Sequence, residues 1–363
     1  MKAYVLENIG NLVYKDVPVP ELHSGWALVE TGAAGICGSD IPRIFKTGMY
    51  HFPAIPGHEF SGKVLEVSDK KDRGWIGRRV GVFPLIPCMK CSSCVTGQYE
   101  MCRNYDYLGS RRNGGFAEYV AVPVWNLIEL PSDLGMREAA MLEPAAVALH
   151  AVRRLELQRA DSAVLFGLGT IGILIVQWLR IFGVSKIFAV GHNQGHGNMM
   201  QKVAGRECVY KNIERNQSTD RRQEQNTEAV SWVMEGTKGE GTAIAIDCAG
   251  DSDSIRNCLD CIKPGGQFLT VGNPKRDICL NQETYWKILR KQVRLAGTWN
   301  SSFWHNEEDD WHIVVRASCG GKLKISDLIT HCLDFDKLNQ GLDIASGHEE
   351  YHNKVMIYNN DIV

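Results

Sequence analysis

The amino-acid sequence predicts two domains, in which a doubly wound α/β domain is inserted into a β-rich domain. The chain has 363 residues, more than one compact core usually organises. Residues 1–150 have the pattern of short strands broken by Gly and Pro turns, for example at 27–30, 63–67, 79–82 and 117–122. From about residue 149 strands alternate with helices, which is typical of a parallel sheet covered by helices.

The α/β domain is predicted element by element. Residues 163–166 form a short apolar strand, and 170–182 form a helix that ends at Gly183, a residue type common just after a helix. Further strands are predicted at 186–190, 243–247 and 266–271, and an apolar strand at 354–358. We therefore predict segments at 1–148, 149–290 and 291–363, with a cysteine lobe at 84–105, and the first and last segments form one domain.

Charge and hydropathy limit the function classes. Lys and Arg number 40 against 42 Asp and Glu, a net charge of −2 that gives no support to a nucleic-acid surface. The N-terminal residues lack the apolar run of a signal peptide. Residues 162–179 are uncharged and long enough for a membrane span, but Gly167, Gly169 and Gly172 divide them into strand, turn and helix. We expect no nucleic-acid partner, no membrane span and a cytoplasmic location.

Twelve cysteines are present, and four of them form the strongest local motif, with the spacing C-x2-C-x2-C-x7-C. Four thiolates so close in sequence can bind one tetrahedral Zn²⁺, which is structural because every coordination position is filled. An iron–sulfur cluster is the alternative, but its ferredoxin motif continues with three residues and then Cys-Pro. The spacing favours zinc on Cys88, Cys91, Cys94 and Cys102.

A second set of candidate ligands is dispersed along the chain, in Gly-Ile-Cys-Gly-Ser-Asp at 35–40, Gly-His-Glu at 57–59 and Leu-Glu-Pro at 142–144. Each motif alone is weak, because a single Cys or His usually belongs to the packing. Together they offer a thiolate, an imidazole and carboxylates, the mixed donors that catalytic zinc uses while keeping one position open. Spacing alone does not join them.

The third motif is Gly-Leu-Gly-Thr-Ile-Gly at 167–172, between a predicted strand and a predicted helix. Glycines there permit the turn and the close approach of a dinucleotide pyrophosphate to the helix N-terminus. The alternative is a helix start that is merely rich in glycine. The candidate cofactor residues lie in this turn and after two later strands: Gly167, Gly169, Thr170, Ile171, Gly172, Gly191, His192, Val271 and Gly272.

In this order, the three motifs resemble those of the zinc-dependent medium-chain alcohol/polyol dehydrogenases. The resemblance covers nearly the whole chain, through GICGSD, PGHEFSG, the four-cysteine lobe, GGFAEYV at 114–120, LEP and GLGTIG. It implies a GroES-like catalytic domain formed by both chain ends, with a Rossmann domain between them. It also implies two zinc ions per chain and a homodimer or homotetramer.

The resemblance implies a role for each candidate in the dispersed set. The implied catalytic zinc ligands are Cys37, His58 and Glu143. Glu59 would be an alternative or exchanging ligand, Ser39 would lie beside the alcohol as first proton carrier, and Asp40 would orient the imidazole. Zinc would lower the pKa of the substrate hydroxyl, and a hydride would pass from its carbon to nicotinamide.

Within the family, the resemblance is closest to members that oxidise galactitol 1-phosphate, through SDIPRIFK at 39–46 and GSRR at 109–112. It implies oxidation of a secondary hydroxyl of a polyol phosphate to a ketose phosphate. Basic side chains near these motifs suit phosphate, although some could equally support the backbone. A free polyol such as sorbitol or xylitol, and a non-enzymatic zinc-stabilised dinucleotide-binding protein, are the alternatives. The candidate substrate residues are Arg43, Lys46, Arg111, Arg112 and Trp299.

The residues that follow the second Rossmann strand leave the choice between NAD and NADP open. NAD-binding domains place an acid there to bind the ribose hydroxyls, but this strand leads into Gly191-His192-Asn193. A glycine removes repulsion against a 2′-phosphate, which favours NADP, yet residues 191–201 contain no Arg. The family favours NAD and the local residues favour NADP, and loss of cofactor binding is a third alternative.

Overall fold

A computed structural model describes residues 1–213, 219–347 and 351–359 of the chain. The chain divides into a β-rich unit, Met1–Ala146 with Ser301–Val363, and an α/β unit, Val147–Asn300. The last four residues of the predicted third segment lie outside the described residues. The α/β unit is continuous and interrupts the β-rich one.

The strands of the described residues are β1 (Lys2–Asn8), β2 (Asn11–Asp16), β3 (Trp26–Gly35), β4 (Glu59–Val67), β5 (Arg79–Val82), β6 (Leu85–Ile86), β7 (Asp106–Tyr107), β8 (Tyr119–Pro123), β9 (Leu127–Glu129), β10 (Ser162–Phe166), β11 (Lys186–Gly191), β12 (Cys208–Asn212), β13 (Thr242–Asp247), β14 (Ile262–Thr270), β15 (Arg294–Gly297), β16 (Ile329–Asp334) and β17 (Lys354–Tyr358). The α-helices are α1 (Asp40–Pro42), α2 (Ser92–Val95), α3 (Met136–Ala140), α4 (Leu142–Arg153), α5 (Thr170–Ile181), α6 (Gln194–Ala204), α7 (Thr219–Gly236), α8 (Ser252–Cys261), α9 (Gln282–Arg290), α10 (Asp310–Cys319) and α11 (Leu338–Ser346).

The second boundary between the units falls after residue 300 rather than after residue 290 as predicted. The reason is β15, which pairs in parallel with β14 and therefore belongs to the inserted sheet. This strand has only four residues, three of them exposed, so it carries no apolar pattern that the sequence could reveal. The segment 291–300 thus belongs to the α/β unit.

The β-rich unit is organised around a sheet of seven strands in the order β16-β17-β3-β4-β5-β9, with β8 also paired to β3. Fully buried valines, among them Val29, Val64 and Val80, form its core. The pairing of β3 with β4 sets Gly35 opposite Glu59, and β17 pairs with the other edge of β3, setting Met356 opposite Gly35. Three distant parts of the chain therefore meet where β3 ends.

The α/β unit contains a six-stranded, wholly parallel sheet in the order β12-β11-β10-β13-β14-β15. Its central strands β10 and β13 are buried along their whole length, as expected for strands covered by helices on both faces. The order reverses between β10 and β13, and such a switch point creates a ligand crevice at the carboxyl ends of the strands. The predicted GroES-like plus Rossmann α/β fold is confirmed.

No helix among the described residues is long and apolar enough to cross a membrane. The uncharged stretch 162–179 is divided between β10 and the twelve-residue helix α5.

Candidate functional site

Three of the predicted ligand side chains come together where β3 ends and β4 begins. Cys37 follows β3, His58 immediately precedes β4, and Glu59 is the first residue of β4, the antiparallel neighbour of β3. One donor atom from each side chain lies within 4.8 Å of the other two. His58 and Glu59 are buried. A thiol, an imidazole and a carboxylate gathered in this way form a donor set that suits Zn²⁺.

Ser39 and Asp40 both contact residues of this cluster. The Asp40 carboxylate is fully buried, accepts a hydrogen bond from the backbone N–H of Cys37 at 2.9 Å, and lies 3.4 Å from Nδ1 of His58. Burial would raise the pKa of Asp40, but His58, Arg43 and the Cys37 N–H outweigh burial and hold that pKa below its ordinary value. The Ser39 hydroxyl donates to Sγ of Cys37 at 3.4 Å.

Glu59 is paired with a lysine that the sequence analysis did not single out. Nζ of Lys354 lies 2.5 Å from Oε2 of Glu59, and both side chains are almost fully buried. Burial lowers the pKa of Lys354, but the Glu59 carboxylate and the Cys37 thiol outweigh it, so the pKa is raised. A Cβ atom on Gly35 would stand 2.5 Å from the Glu59 carboxylate, so the glycine at the end of β3 leaves room for this pair.

Glu143 lies near the cluster without joining the three close donors. It is buried at the start of α4, and its Oε1 accepts a hydrogen bond from the Tyr107 hydroxyl at 3.2 Å. Burial raises the pKa of Glu143 to about 7 and outweighs His58, which lowers that pKa by more than Glu59 raises it. Of the two candidate carboxylates, Glu59 therefore lies beside Cys37 and His58 in the described residues, and which of the two binds a zinc ion stays a prediction.

The four cysteines of the lobe converge on one point. Sγ of Cys91 lies 3.5 Å from that of Cys94 and 3.9 Å from that of Cys102, and the Sγ atoms of Cys88 and Cys94 are 4.0 Å apart. Sulfurs bound to tetrahedral Zn²⁺ at about 2.3 Å stand about 3.8 Å from one another. The backbone N–H of Arg103 is the largest cause that lowers the pKa of Cys91 to about 6. These positions could hold a zinc ion with every coordination site filled.

The four basic candidates for substrate binding have different surroundings. Arg43 donates to Oδ1 of Asp40 at 3.2 Å, and Lys46 is exposed in the next turn. The guanidinium of Arg111 lies between the rings of Tyr50 and Tyr105, 4.6 Å and 4.2 Å from their centroids.

Arg112 and Trp299 complete the substrate candidates. Arg112 pairs with Asp106 and lies over the ring of Trp26. Arg111 and Arg112 therefore contact aromatic rings and an aspartate of the β-rich unit, while Arg43 borders the ligand cluster. Trp299 is more than half exposed and belongs to the α/β unit.

The glycine motif forms the predicted turn between β10 and α5. Gly167 has a φ of +98°, and a Cβ atom there would stand 2.7 Å from the backbone nitrogen of Ala249. Gly172 approaches the Gly167 carbonyl closely in the first turn of α5, which begins with Thr170 and Ile171.

Gly169, the N-cap of α5, has a different reason to be a glycine. Its φ is −109°, and a Cβ atom there would meet no atom of the described residues within 4 Å. The chain's own packing does not require a glycine at this position. The open space suits a ligand that passes close to the backbone, as a pyrophosphate does.

The remaining cofactor candidates lie at the carboxyl edge of the parallel sheet. Gly191 ends β11, and Nδ1 of His192 lies 2.9 Å from the carbonyl oxygen of Ile213. The backbone N–H groups of Val271 and Gly272, just after β14, both donate to the Asp247 carbonyl. The turn and both strand ends thus lie at the edge where doubly wound sheets bind their ligands.

Lys354 and Tyr107 are the two site residues that the sequence analysis missed. Lys354 begins the apolar strand KVMIY, and a lone charge at the start of a buried strand is the signal that could have marked it. Tyr107 lies in β7, between the cysteine lobe and the GSRR motif at 109–112, and belongs to neither.

Two family models match the chain, the alcohol dehydrogenase GroES-like domain over residues 23–132 and the zinc-binding dehydrogenase over residues 170–317. Galactitol 1-phosphate 5-dehydrogenase of Escherichia coli is 32% identical over 349 residues, which cover 95% of this chain and 96% of that protein. D-xylulose reductase A of Aspergillus oryzae is 27% identical over 344 residues, covering 93% and 91%. The crystal structure of galactitol-1-phosphate dehydrogenase from Escherichia coli matches with a TM-score of 0.84 at 29% identity, covering 99% of this chain and 100% of that one.

Proposed function

Because the chain belongs to the medium-chain zinc-dependent alcohol/polyol dehydrogenases, we propose that it oxidises a secondary hydroxyl of a polyol phosphate. The carbinol loses a hydride to a nicotinamide cofactor and a proton to the protein, which gives the ketose phosphate and the reduced cofactor. The buried cluster of Cys37, His58 and Glu59 carries this proposal, because it supplies the mixed donors of a catalytic zinc site.

Cys37, His58 and Glu59 would hold the catalytic zinc, and the four cysteines of the lobe would hold a structural one. Bound zinc lowers the pKa of a coordinated hydroxyl, which makes the substrate easier to deprotonate. Glu143 would be the second carboxylate of the site, held in place by the Tyr107 hydroxyl.

The protein's own residues supply orientation and proton transfer. The Ser39 hydroxyl, 3.4 Å from Sγ of Cys37, would take the substrate proton first. Asp40 stands beside Nδ1 of His58, where a carboxylate fixes the tautomer and orientation of a ligating imidazole. Lys354 neutralises the buried Glu59 carboxylate.

A phosphate on the substrate would be recognised by Arg43, which borders the ligand cluster through Asp40, and by the exposed Lys46. Arg111 and Arg112 contact neighbouring rings and Asp106 instead. The relationship to galactitol 1-phosphate 5-dehydrogenase favours the phosphorylated substrate. The relationship to D-xylulose reductase A favours a free polyol as the second candidate.

The nicotinamide cofactor would bind along the glycine turn, with its pyrophosphate against Gly167, Gly169 and the start of α5. The open space beside Gly169 supports this placement. NAD is the first choice on family grounds, and NADP is the alternative because Gly191 stands where an acid is expected.

A homodimer would form through the α/β unit. In the described residues β15 is an edge of the parallel sheet and exposes Leu295, and α9 of the same unit exposes Tyr285 and Leu289. An edge strand with exposed apolar neighbours is a template for pairing, so a second copy would cover it. Light scattering should show a dimer that Leu295→Asp converts to monomer, while Leu65→Asp, in the β-rich unit, should leave it intact.

The deciding experiment combines a substrate panel with metal analysis. Galactitol 1-phosphate, galactitol, sorbitol and xylitol are each tested with NAD⁺ and NADP⁺. We expect two zinc ions per chain and a kcat/KM at least ten-fold higher for the phosphorylated polyol. Equal kcat/KM for galactitol and its phosphate would transfer the proposal to free polyols, and one zinc without turnover would leave a non-enzymatic protein.

A matched pair of cysteine variants tests the catalytic ligand. Cys37→Ser should abolish turnover and remove one zinc, because it deletes the thiolate donor. Cys332→Ser, on β16 of the same unit, should keep both zinc ions and full turnover. Normal turnover by Cys37→Ser with two zinc ions would contradict the assignment.

A further inference from the structure

Tyr210 on β12 occupies the space beside the end of β11. A Cβ atom built on Gly191 would stand 3.0 Å from the Tyr210 hydroxyl oxygen, 3.3 Å from its ring and 3.2 Å from Cβ of Leu168. On the other side of the ring, a Cβ atom on Gly197 would stand 2.1 Å from a ring carbon. The tyrosine ring therefore requires a glycine at position 197, and its hydroxyl is the nearest atom that a side chain at position 191 would crowd.

The Tyr210 hydroxyl is also fixed in position by hydrogen bonds. It donates to the backbone carbonyl of Asn193 at 2.9 Å and accepts from the backbone N–H of the same residue at 3.2 Å. Burial raises the pKa of Tyr210 to about 12, so the phenol is neutral at physiological pH. The Asn193 side chain caps α6 by accepting from the N–H of Gly195, which ties the hydroxyl to the first turn of that helix.

This position is where a Rossmann domain ordinarily carries its ribose-binding acid. An acid binds the 2′- and 3′-hydroxyls of NAD and repels the 2′-phosphate of NADP. Here the place beside the Gly191 Cα, into which the acid side chain would project, is filled by a neutral hydroxyl. Neither the carboxylate that selects NAD nor an arginine that selects NADP is provided by residues 191–201.

We infer that Tyr210 replaces the ribose-binding acid of the cofactor site, and that it makes the chain bind NAD(H) and NADP(H) with similar affinity. The inference rests on the proposed dehydrogenase function. On this view Gly191 accommodates Tyr210 and Leu168, and it is not in itself a sign of NADP preference. The tyrosine, and not the glycine, is the specificity-determining residue.

The test measures cofactor affinity directly, by calorimetric titration of the zinc-containing protein with NADH and with NADPH. The two dissociation constants of the unaltered chain should agree within about ten-fold. Gly191→Asp alone should improve neither, because its carboxylate meets the Tyr210 hydroxyl. The double variant Gly191→Asp/Tyr210→Val should prefer NADH by at least ten-fold, since the valine clears space for the carboxylate to reach the ribose.

Tyr210→Phe, which keeps the ring and removes the hydroxyl, should weaken both dinucleotides to a similar extent. Tyr119→Phe, in the β-rich unit, is the control and should change neither dissociation constant. Circular dichroism verifies that each variant is folded.

Three outcomes would overturn the inference. They are a Gly191→Asp variant that alone gains the full NADH preference, an unaltered chain that discriminates between the cofactors by more than a hundred-fold, and a chain that binds neither dinucleotide. The titration needs no polyol, so a similar affinity for both cofactors without turnover of any polyol would refute the proposed substrate and leave the inference standing.

Discussion

Replacing Lys354 with methionine removes one partner of the buried ion pair at the candidate metal site. The side chains of Lys354 and Glu59 are only 4% and 2% exposed, and the ionic groups lie 2.5 Å apart. Removing one member of a buried pair leaves an uncompensated charge and costs about 3–5 kcal/mol. For a domain of about 200 residues, one kcal/mol shifts the melting temperature by roughly 2–4 °C. Lys354→Met should therefore lower the melting temperature of the metal-free protein by about 6–20 °C.

The assay is thermal unfolding after zinc has been removed with a chelator, followed by the same measurement with zinc restored. Added Zn²⁺ should return more stability to Lys354→Met than to the unaltered protein, because the cation compensates the Glu59 carboxylate. Lys337→Met is the matched control. Lys337 and Asp334 are 3.7 Å apart and about half exposed, and an exposed pair contributes about 0–1 kcal/mol.

A double variant, Glu59→Gln/Lys354→Met, separates the loss of a pair from the loss of packing. Removing both charges should recover most of the stability lost by the lysine variant alone, because no buried charge is left without a partner. The reasoning is refuted if Lys354→Met lowers the melting temperature of the metal-free protein no more than Lys337→Met does.

Three further predictions follow from the site and from its surroundings. Cys102→Ser should reduce the zinc content from two ions to one, measured by elemental analysis, whereas Cys332→Ser should retain both. Tyr107→Phe removes a hydrogen bond to a buried carboxylate, so kcat/KM should fall about five-fold, for a loss of about 1 kcal/mol, with zinc content unchanged; an unaltered kcat/KM would contradict this role. Burial would raise the pKa of Asp309, but hydrogen bonds from His312 outweigh it and lower that pKa. A lowered folded-state pKa contributes stability above the ordinary aspartate pKa, and this is lost as pH falls. Asp309→Asn should thus flatten the pH dependence of the free energy of unfolding, measured in urea, below about pH 4. An unchanged pH dependence in that range would show that the aspartate does not contribute.

The local sequence pattern was sufficient to predict the strands and helices whose intrinsic propensity agrees with the burial of their residues. The last strand has the predicted bounds, 354–358, and the predicted helix at 170–182 differs from α5 by one residue. The strands of the parallel sheet were visible because central parallel strands are buried on both faces and are therefore continuously apolar. The edge strands β12 and β15 were not, since only one of the five residues of β12 is buried and three of the four residues of β15 are exposed.

The sequence likewise indicated the types of ligand side chain, but it did not indicate how those side chains are arranged in space. Residue types and spacing singled out the four-cysteine lobe and the glycine turn, because each is local and its members are neighbours along the chain. The dispersed set needed family resemblance to be joined at all. The structure then set Glu59, rather than Glu143, beside Cys37 and His58.

The sequence by itself determined the fold class, the cysteine lobe, the glycine turn and the identity of the donors near 37–40 and 57–59. Only the tertiary structure decided which residues distant in sequence contact one another. Lys354 reaches Glu59 across 295 positions of the chain, through the pairing of β17 with β3, and Tyr210 fills the space beside Gly191 through the pairing of β12 with β11. Both contacts depend on strand register, which is set by packing between distant segments. Neither contact can therefore be predicted from the local sequence.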